Sequence, residues 1–462
     1  MTDAAIRRST LVVATTGSFI TPFMGSSVNI ALPAIEKSFN IDAVILSWIA
    51  TAYLLAAGAS LIPMGRLADI YGRKKMLGLG FCFFSAGSLL SAMAPTAYLL
   101  IFFRAVQGIG SGMIFGTGMA MLTSVFPPQE RGKVLGIAIS AVYIGLSSGP
   151  FFGGVLTQHW GWRSLFGFNF LLSFIPLLLI YIKLKGEWAD AKGEKFDLIG
   201  AVIYSLTLIA VIYGFSLLPK YMGFGLLAIG IAGLIAFTVR QTKIKDPLFK
   251  VNLFLGNRVF ALSNLAALIH YSATFALNFL LSLYLQYIKG LDAQTAGLIL
   301  IAQPMVMALF SPLAGRMSDK IEPRIIASTG MSITCISILL LAFIQPSTWI
   351  ASIVFYLIVL GFGYALFSSP NMNAIMSSVG NRYLGLASGS AATMRVLGQM
   401  FSMGIATLVI AIIMGRAPIT EAIFPKLLLS IRVTLIASSL LCVIGIFASF
   451  SRGNVRSVSY SE

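Results

Sequence analysis

Uninterrupted apolar runs, each long enough to cross a lipid bilayer, recur along the whole of this 462-residue chain. One example is MSITCISILLLAFI at residues 331–344, which contains no charged side chain. A bilayer core of about 30 Å requires about 20 residues of helix, whereas the strands of a membrane barrel would alternate apolar and polar residues over about ten positions. Charged residues make up only 10% of the chain, against about 25% in soluble domains. The sequence therefore predicts an all-α polytopic membrane protein.

Charged residues, prolines and glycines divide the apolar runs into about fourteen predicted transmembrane spans. An even number of spans places both chain termini on the same side of the membrane. The spans lie near residues 11–33, 46–65, 76–94, 98–121, 134–157, 163–183, 197–218, 221–239, 259–285, 294–315, 325–344, 349–370, 385–414 and 428–450.

Basic residues are distributed very unequally between the two sides of this arrangement. With the N-terminus inside, the inner segments hold 23 lysines and arginines and the outer segments hold 6. Cytoplasmic loops of membrane proteins carry such an excess of basic residues. The distribution explains the net charge of +17 without a nucleic-acid partner, and it places both termini in the cytoplasm of a cell-membrane protein. Three basic residues remain within spans: Arg104, Arg395 and Arg432.

An internal repeat relates the two ends of the chain. The loop after span 2 reads GRLADIYGRKK from Gly65, and the loop after span 10 reads GRMSDKIEPR from Gly315, an offset of 250 residues. Parallel repeats with a binding site at their interface are a feature of secondary transporters. We therefore predict a first six-helix bundle at residues 1–184, an inserted pair of helices at 185–245 and a second six-helix bundle at 246–462.

The loop after span 2 combines glycines and charges at short, fixed spacing. Gly65 allows two helix ends to approach closely, Asp69 is placed to cap a helix or to pair with Arg73, and Gly72 suits the turn into span 3. The simpler interpretation is a basic loop that only sets topology. The particular spacing, which Gly315 and Asp319 partly repeat, favours a specific role for the loop, Lys74 included.

Span 4 carries an arginine about one and a half turns into the membrane. An unpaired arginine at that depth costs several kcal/mol, so Arg104 should face a water-filled cavity or polar partners such as Gln107. The alternative is an arginine that extends to the membrane surface as an anchor.

Span 5 reads YIGLSSGPFFGG from Tyr143 and places a glycine at every fourth position. Such a stripe lets two helices pack closely, and a proline within it removes a backbone hydrogen bond and favours a kink. The residues concerned are Gly145, Gly149, Pro150, Gly153 and Gly154.

These motifs resemble those of a known family. GRLADIYGRKK, LIFFRAVQGIGSG and GLSSGPFFGG are similar to the loop, helix-4 and helix-5 signatures of the major facilitator superfamily. Further matches point to its fourteen-helix drug:proton antiporter branch, and they run from span 1 to span 9: SSVNIALP, WIATAYLL, GWRSLFGFN, FDLIG and LYLQYIKGLDAQTAG. A pattern in span 13, MRVLGQMFSMG, extends the resemblance to Arg395.

The resemblance implies the major facilitator fold and transport by alternating access, in which two bundles rock about a central site. It implies that Gly65, Asp69, Gly72, Arg73 and Lys74, with Gly315 and Asp319, form an inner conformational gate. Arg104 would couple proton and substrate movement. Gly149 and Pro150 would form the hinge and the tight seal between the bundles.

The chain departs from the branch at one position. Gly25 stands where the branch usually has an aspartate, and none of the fifteen acidic residues lies near the middle of a span. His270 or the substrate itself is then the candidate for the group that binds protons, with Asp69 a weaker third. The polar residues expected to line the cavity are Asn29, Arg104, Gln107, His270, Asn278, Gln303 and Arg395.

The leading hypothesis is export of small amphipathic organic compounds, a multidrug efflux activity, driven by inward proton flow. The chain contains no GxxxxGK[ST] phosphate-binding loop. The alternative within transport is a specific carrier for an anionic or neutral metabolite, and a remote one is a membrane-embedded enzyme or sensor. We expect no enzymatic activity, no cofactor and no metal, since Cys82, Cys335 and Cys442 are far apart. The expected partners are the substrate, protons and the bilayer, and the expected state is a monomer.

Overall fold

The computed structural model describes residues 3–184, 186–380, 384–415 and 419–454, without the side chains of residues 3–5, 128–129, 132–133, 319 and 384–385. Within the described residues, fourteen helices are long and apolar enough to cross a membrane, which confirms the number of spans. The first six are α1 (Asp3–Phe39), α2 (Ala43–Tyr71), α3 (Arg73–Ala92), α4 (Ala97–Val125), α5 (Pro128–Trp160) and α6 (Trp162–Lys183).

Two further membrane helices follow, and after them a second set in which two spans are broken into pieces. The pair is α7 (Leu198–Leu217) and α8 (Tyr221–Lys243). The second set comprises α9 (Val251–Gly256), α10 (Arg258–Thr274), α11 (Ala276–Leu283), a π-helical turn (Tyr284–Ile288), α12 (Ala293–Leu300), α13 (Ala302–Lys320), α14 (Pro323–Ala342), α15 (Ile350–Ser377), α16 (Leu384–Ile413) and α17 (Phe424–Ser451), which a 3₁₀ turn (Glu421–Ile423) precedes.

The helices form two groups by their contacts. In the first bundle, α1 lies along α5, and α4 packs between α2 and α3. In the second bundle, α15 packs against α13 and α14, and α10 packs against α16 and α17. The boundaries proposed at residues 184 and 246 are consistent with this grouping and stay a prediction. We call the side that holds the turn between α2 and α3 the inner side, following the predicted orientation.

The inserted helix α7 bridges the two bundles. The Tyr204 hydroxyl donates to the Gly58 carbonyl at 2.9 Å, and the Ser205 hydroxyl donates to the Ala59 carbonyl at 3.0 Å, so α7 is fixed to α2. On its other side α7 packs against α16. The helix α8 packs on α7 and has much of its apolar surface on the outside of the protein, as expected for a helix in contact with lipid.

Asp197 holds the inner ends of α7 and α8 together. Its carboxylate caps α7 by accepting from the Gly200 amide at 2.9 Å, and it also accepts from Arg240 at 2.7 Å and Gln241 at 2.9 Å. Burial of this carboxyl opposes ionisation, but the hydrogen bonds from these three groups outweigh burial and hold its pKa below the usual range.

The first span extends further than the sequence indicated. The sequence predicts that this span ends at Pro33, but α1 continues to Phe39. Proline leaves the carbonyl four residues earlier without its helical donor, and here the Asn29 carbonyl accepts from the Ser282 hydroxyl at 2.8 Å. A neighbouring helix thus satisfies the freed carbonyl, as is common in membrane helices. As a result Glu36 lies in the last turn of α1 and is buried.

Candidate functional site

A small cavity lies where the two bundles meet. The first bundle contributes residues of α1, α2, α4 and α5, and the second contributes Phe275 and part of α16. The cavity volume is about 20 Å³, which is room for about one water molecule and far less than a drug-sized ligand needs. None of the residues that line it is acidic. Its polar and aromatic lining includes Tyr53, Ser111, Phe115, Phe275, Arg395 and Gln399.

Arg395 is the charged side chain of this cavity. Its guanidinium lies 5.0 Å from the centre of the Phe115 ring, across the interface between α16 and α4. Only 6% of the residue is exposed, and its Nη2 has no hydrogen-bond partner among the described residues. A buried cationic donor without a partner is costly. Arg395 is therefore placed to bind an acceptor group that enters the cavity.

Arg104 lies behind the cavity wall, inside the first bundle. Its Nε donates to the Ile49 carbonyl at 3.1 Å, and its Nη1 donates to Gln107 Oε1 at 2.5 Å. Gln107 Nε2 donates in turn to Ser88 at 2.6 Å. The guanidinium also lies 4.2 Å from the centre of the Tyr53 ring, which lines the cavity. Arg104 thus has the polar partners predicted for it, and Tyr53 lies between it and the cavity.

The remaining predicted cavity residues are buried or half-buried but absent from the lining. The Asn29 side chain has no hydrogen-bond partner among the described residues. The Asn278 Oδ1 atom likewise has none in the described structure, and Gln303 is buried beside Gly361, where α13 meets α15.

His270 lies in an aromatic environment within the second bundle. Its ring stacks on Phe367 at a centroid distance of 4.0 Å and meets Tyr364 edge-on at 4.6 Å. Neither ring nitrogen has a hydrogen-bond partner in the described part of the chain. These surroundings suit a neutral aromatic ring.

We expect His270→Phe to retain transport and its pH dependence, because phenylalanine can take the same stacked position. The measurement is initial flux at several pH values in reconstituted vesicles. Tyr364→Ala, which removes one wall of the same environment, is the disruptive comparison. Loss of the pH response in His270→Phe alone would restore the histidine as a proton-binding group.

The predicted gate residues come together at the turn between α2 and α3. Gly72 has a φ of 122°, a conformation that favours glycine. Asp69 Oδ1 accepts from Arg73 Nε at 2.9 Å and from Arg73 Nη2 at 2.6 Å. Arg73 Nη1 also donates to the Ala120 carbonyl at 3.1 Å and to the Ser124 hydroxyl, so the arginine joins the turn to α4.

The other predicted gate positions have different surroundings. Gly65 lies beside the backbone of Gly116 on α4, and Gly315 lies beside Ser369 on α15. Asp319 belongs to α13, but its side chain lies outside the described residues.

A loop that the sequence did not connect to the gate covers it from the inner side. We call residues 186–196, between α6 and α7, the acidic strap. The Arg73 amide donates to the Trp188 carbonyl at 2.8 Å, and the Glu187 carboxylate accepts from the Lys74 amide at 2.7 Å at the start of α3. The strap also forms two ion pairs with the gate loop, Asp190–Arg73 at 2.7 Å and Glu194–Arg66. Its signal in the sequence was the presence of three acidic residues, Glu187, Asp190 and Glu194, in one short inner loop.

Asp69→Asn should leave the protein folded and reduce transport several-fold. Arg73 keeps its bonds to α4 and its ion pair with Asp190, and a charge at a helix end contributes only about 0.3–1 kcal/mol. The balance between conformers is more sensitive, because it depends on differences of this size. The measurement is initial flux, with thermal stability in detergent as the folding control. Wild-type flux would show that the turn only sets topology.

The glycines of α5 have two different partners. A Cβ atom at Gly149 would overlap the Ser26 hydroxyl, and one at Gly153 would lie 2.7 Å from the Ser27 carbonyl, so both glycines pack on α1 in their own bundle. Gly145 packs in the same way on Phe19 of α1. Gly154 faces the second bundle, where a Cβ atom would lie 2.5 Å from the Ala293 carbonyl.

The contact between bundles is therefore displaced along α5 from the position that the resemblance implied. Pro150 and Gly154 meet Gly297 and Ala293 of α12, whereas Gly149 does not face the second bundle. The stripe at every fourth residue determines one helix face, and that face is occupied by α1.

Side-chain hydrogen bonds join the two bundles on the outer side. The last turns of the ninth span donate to α1, and the outer end of α16 donates to the outer end of α2. The outer side of this conformer is thus closed. The bonds are Ser282 to the Asn29 carbonyl at 2.8 Å, Gln286 to the Ile30 carbonyl at 3.0 Å, Tyr287 to Glu36 at 2.7 Å and Thr407 to Ser47 at 3.1 Å.

The sequence model of the Major Facilitator Superfamily matches residues 14–261 and 263–458, almost the whole chain. The chain belongs to this superfamily. The family-level prediction is thereby confirmed, and with it the fold of a fourteen-helix transporter.

The names of two relatives point to different activities. The riboflavin transporter RibZ of Clostridioides difficile is 31% identical over 401 residues, which cover 86% of each chain. The multidrug resistance protein Stp of Mycobacterium tuberculosis is 26% identical over 408 residues, covering 87% of this chain and 75% of that protein. This superfamily member is thus similar both to a carrier named for one metabolite and to one named for drug resistance.

A solved structure supports the fold. The crystal structure of a bacterial homologue of the human lysosomal transporter Spinster, in an inward-facing and unoccupied conformation, matches with a TM-score of 0.65. The match covers 97% of both chains at 17% identity.

Proposed function

We propose that this carrier exports small aromatic organic compounds, neutral or anionic, in exchange for protons that enter the cell. The observation that supports this substrate class is the Arg395 Nη2 atom, which has no hydrogen-bond partner among the described residues and belongs to a cavity whose other lining residues are uncharged and include aromatic rings. A cation would be repelled there, and no lining carboxylate would attract it. The ring of Phe115, already beside the guanidinium, offers a surface on which a planar substrate can stack.

The similarity to drug-resistance relatives favours export, and the membership of the superfamily favours a gradient as the energy source. The closely packed contact of Pro150 and Gly154 with α12 supports the tight closure that an exchanger needs to prevent leak.

A second candidate is a specific carrier for one neutral or anionic metabolite. The similarity to RibZ over most of both chains is the observation that favours it. The ring system of riboflavin is planar and aromatic and carries carbonyl oxygens. Phe115 could stack on such a ring while Arg395 donates to a carbonyl oxygen.

Flux in reconstituted vesicles separates the candidates. Riboflavin, an aromatic carboxylate and a lipophilic phosphonium cation are offered with and without a pH gradient. The proposed exporter moves riboflavin and the aromatic carboxylate when a pH gradient is present, and it does not move the phosphonium cation. A specific carrier moves one compound. A higher flux of the phosphonium cation than of the other two compounds would contradict the proposed function. Equal flux with and without the pH gradient would contradict it as well.

We also propose that the protein lies in the cell membrane with both termini and the gate turn on the cytoplasmic side. A cysteine at Lys75, in a background without the three native cysteines, should react in intact cells only with a membrane-permeant reagent. A cysteine at Trp349, exposed at the opposite end of the protein, should react with an impermeant one. The reverse pattern would invert the orientation.

A further inference from the structure

Tyr143 of α5 carries a hydroxyl group at the junction of the two bundles. This hydroxyl is hydrogen-bonded to the hydroxyl of Ser368 on α15, so the bond crosses from the first bundle to the second. Leu146, three residues further along α5, lines the small cavity between the bundles. Because α5 runs from the inner to the outer side and a helical turn takes 3.6 residues, Tyr143 lies about one turn from the cavity on its inner side.

Two further groups of the second bundle surround the Tyr143 hydroxyl. Tyr271 on α10 lies beside it, and the guanidinium of Arg395 on α16 is close enough to interact with it electrostatically. Tyr271 precedes Phe275, another residue that lines the cavity, by about one turn. Two tyrosine hydroxyls and one guanidinium thus meet at the inner edge of the cavity, and each of them can donate a hydrogen bond.

This edge of the cavity is rich in donors and carries a positive charge. Within the described residues Arg395 forms no ion pair, and its Nη2 has no hydrogen-bond partner. None of the fifteen acidic residues lies near the middle of a predicted span, so the spans supply no carboxylate at this level of the membrane. A buried cation without a counter-charge is costly. The combination favours a ligand that brings negative charge and several acceptor lone pairs.

A carboxylate has the acceptor groups that this set of donors requires. It has two oxygens with about four acceptor sites, and a hydrogen bond to an ionised acceptor is about twice as strong as one between neutral groups. Arg395 can supply the charge and one donor, and the two tyrosine hydroxyls can supply the others. The aromatic part of such a ligand would extend into the cavity beside Phe115, whose ring centre lies 5.0 Å from the guanidinium.

In this conformer the Tyr143 hydroxyl is bonded to Ser368. Because both hydroxyls are neutral, a carboxylate is the stronger partner for Tyr143. Ser368 loses little when it is released, because a serine within a helix can donate to the backbone carbonyl four residues earlier, which here belongs to Tyr364. Exchange of Ser368 for a carboxylate would therefore break a bond between the bundles as the ligand binds.

We infer that Tyr143, Tyr271 and Arg395 form a carboxylate subsite of the substrate cavity, and that Ser368 holds Tyr143 in place until an acid enters. The subsite rests on the proposed function and narrows its substrate class to aromatic acids. It also links substrate to conformation, because a bound acid removes a hydrogen bond that joins α5 to α15. A neutral aromatic compound gains less from the exchange, since its carbonyl oxygen accepts as a neutral group.

Binding of two probes of nearly equal shape tests the subsite. The first is 2-naphthoate, which carries a carboxylate, and the second is 2-naphthamide, which lacks the charge. Their dissociation constants are measured at neutral pH with the purified full-length protein in lipid nanodiscs. We expect the unchanged protein to bind 2-naphthoate about tenfold more tightly than 2-naphthamide, because hydrogen bonds to an ionised group are the stronger ones.

Substitutions at the two ends of the bond between Tyr143 and Ser368 should have opposite effects. Tyr143→Phe keeps the ring but removes a donor to the carboxylate, so 2-naphthoate should bind about tenfold more weakly while 2-naphthamide binding changes little. Ser368→Ala removes the competing partner, so 2-naphthoate should bind several-fold more tightly. In the Tyr143→Phe background Ser368→Ala should have no effect on 2-naphthoate binding. A bond that only held the bundles together would give both single variants the same sign.

Three more variants complete the test. Tyr271→Phe removes the other tyrosine hydroxyl and should weaken 2-naphthoate binding as Tyr143→Phe does. Tyr284→Phe and Ser337→Ala are the matched controls, because each of these hydroxyls donates to a backbone carbonyl within the second bundle at 2.6 Å. Both controls should bind 2-naphthoate as the unchanged protein does. Thermal stability of every variant checks that it is folded.

Several results would overturn the subsite while the proposed function stands. They are equal affinity of the unchanged protein for both probes, unchanged 2-naphthoate binding in Tyr143→Phe or Tyr271→Phe, effects of the same sign in Tyr143→Phe and Ser368→Ala, or an equal loss in the matched controls. Failure of the unchanged protein to bind either probe would contradict the proposed function and the subsite together.

Discussion

Arg395→Ala is expected to weaken substrate binding and transport at least tenfold while the protein stays folded. A hydrogen bond to a charged donor contributes about 1.5–3 kcal/mol, which corresponds to about a tenfold to hundredfold change in affinity. The folded state should tolerate the change, because the substitution removes a buried and partly unpaired cation. Equilibrium binding and initial flux of the aromatic carboxylate measure the effect, and thermal stability in detergent controls for folding.

Two further variants make this test specific. Arg395→Lys keeps the charge but loses the planar fork of donors, so we expect intermediate binding. Arg432→Ala removes the arginine of α17, which does not line the cavity, and should bind and transport as the unchanged protein does. Equal losses in Arg395→Ala and Arg432→Ala would indicate a general effect of removing an intramembrane arginine and would contradict the assignment.

Gly154→Leu should abolish transport. A Cβ atom at this position would lie 2.5 Å from the Ala293 carbonyl oxygen of the second bundle. This oxygen belongs to the helix backbone, which cannot move aside as a flexible side chain can. The leucine must therefore hold α5 away from α12 and prevent closure of the outer side. Flux of the aromatic carboxylate into reconstituted vesicles should fall to background.

Two other glycines of α5 provide controls. Gly136→Leu introduces the same side chain at a position where, among the described residues outside its own helical turns, no atom lies within 4 Å of the added Cβ. This variant should transport normally. Gly149→Leu would overlap Ser26 within the first bundle, so we expect loss of thermal stability as well as of flux. A Gly154→Leu protein that transports at the rate of Gly136→Leu would remove this contact from the mechanism.

The features set by the bilayer could be read from the sequence. Each membrane helix must be long and apolar on its own, so the number of spans followed from local composition. Helix ends at Asp42, Asp197 and Asp292 were also recognisable, because these residues cap helices with their own side chains. The gate turn was predictable for the same reason, since Gly72 and the Asp69–Arg73 pair are local.

Features that depend on distant partners could not be read in this way. Pro33 suggested a helix end, and only Ser282, 253 residues from Asn29 along the chain, explains its continuation. Arg104 and Arg395 are both intramembrane arginines in the sequence. In the structure Arg104 donates to groups of its own bundle, whereas the Nη2 of Arg395 has no hydrogen-bond partner within the described part of the chain. In each case the role of the residue depends on which groups lie beside it, and those neighbours are determined by the packing of helices that are distant in the sequence.

The acidic strap changes what a minimal version of this protein can be. Removal of α7 and α8 would leave the twelve helices of the two bundles. The number of spans alone would therefore suggest that this deletion does not affect either bundle. However, the segment that leads into α7 supplies Glu187 to the start of α3 and Asp190 to Arg73. A shortened chain that lacks this segment would lose both contacts and would leave Asp69 as the acidic partner of Arg73. A twelve-helix version of this protein would therefore need to keep the acidic strap, or place other acceptors beside the turn, to retain these contacts.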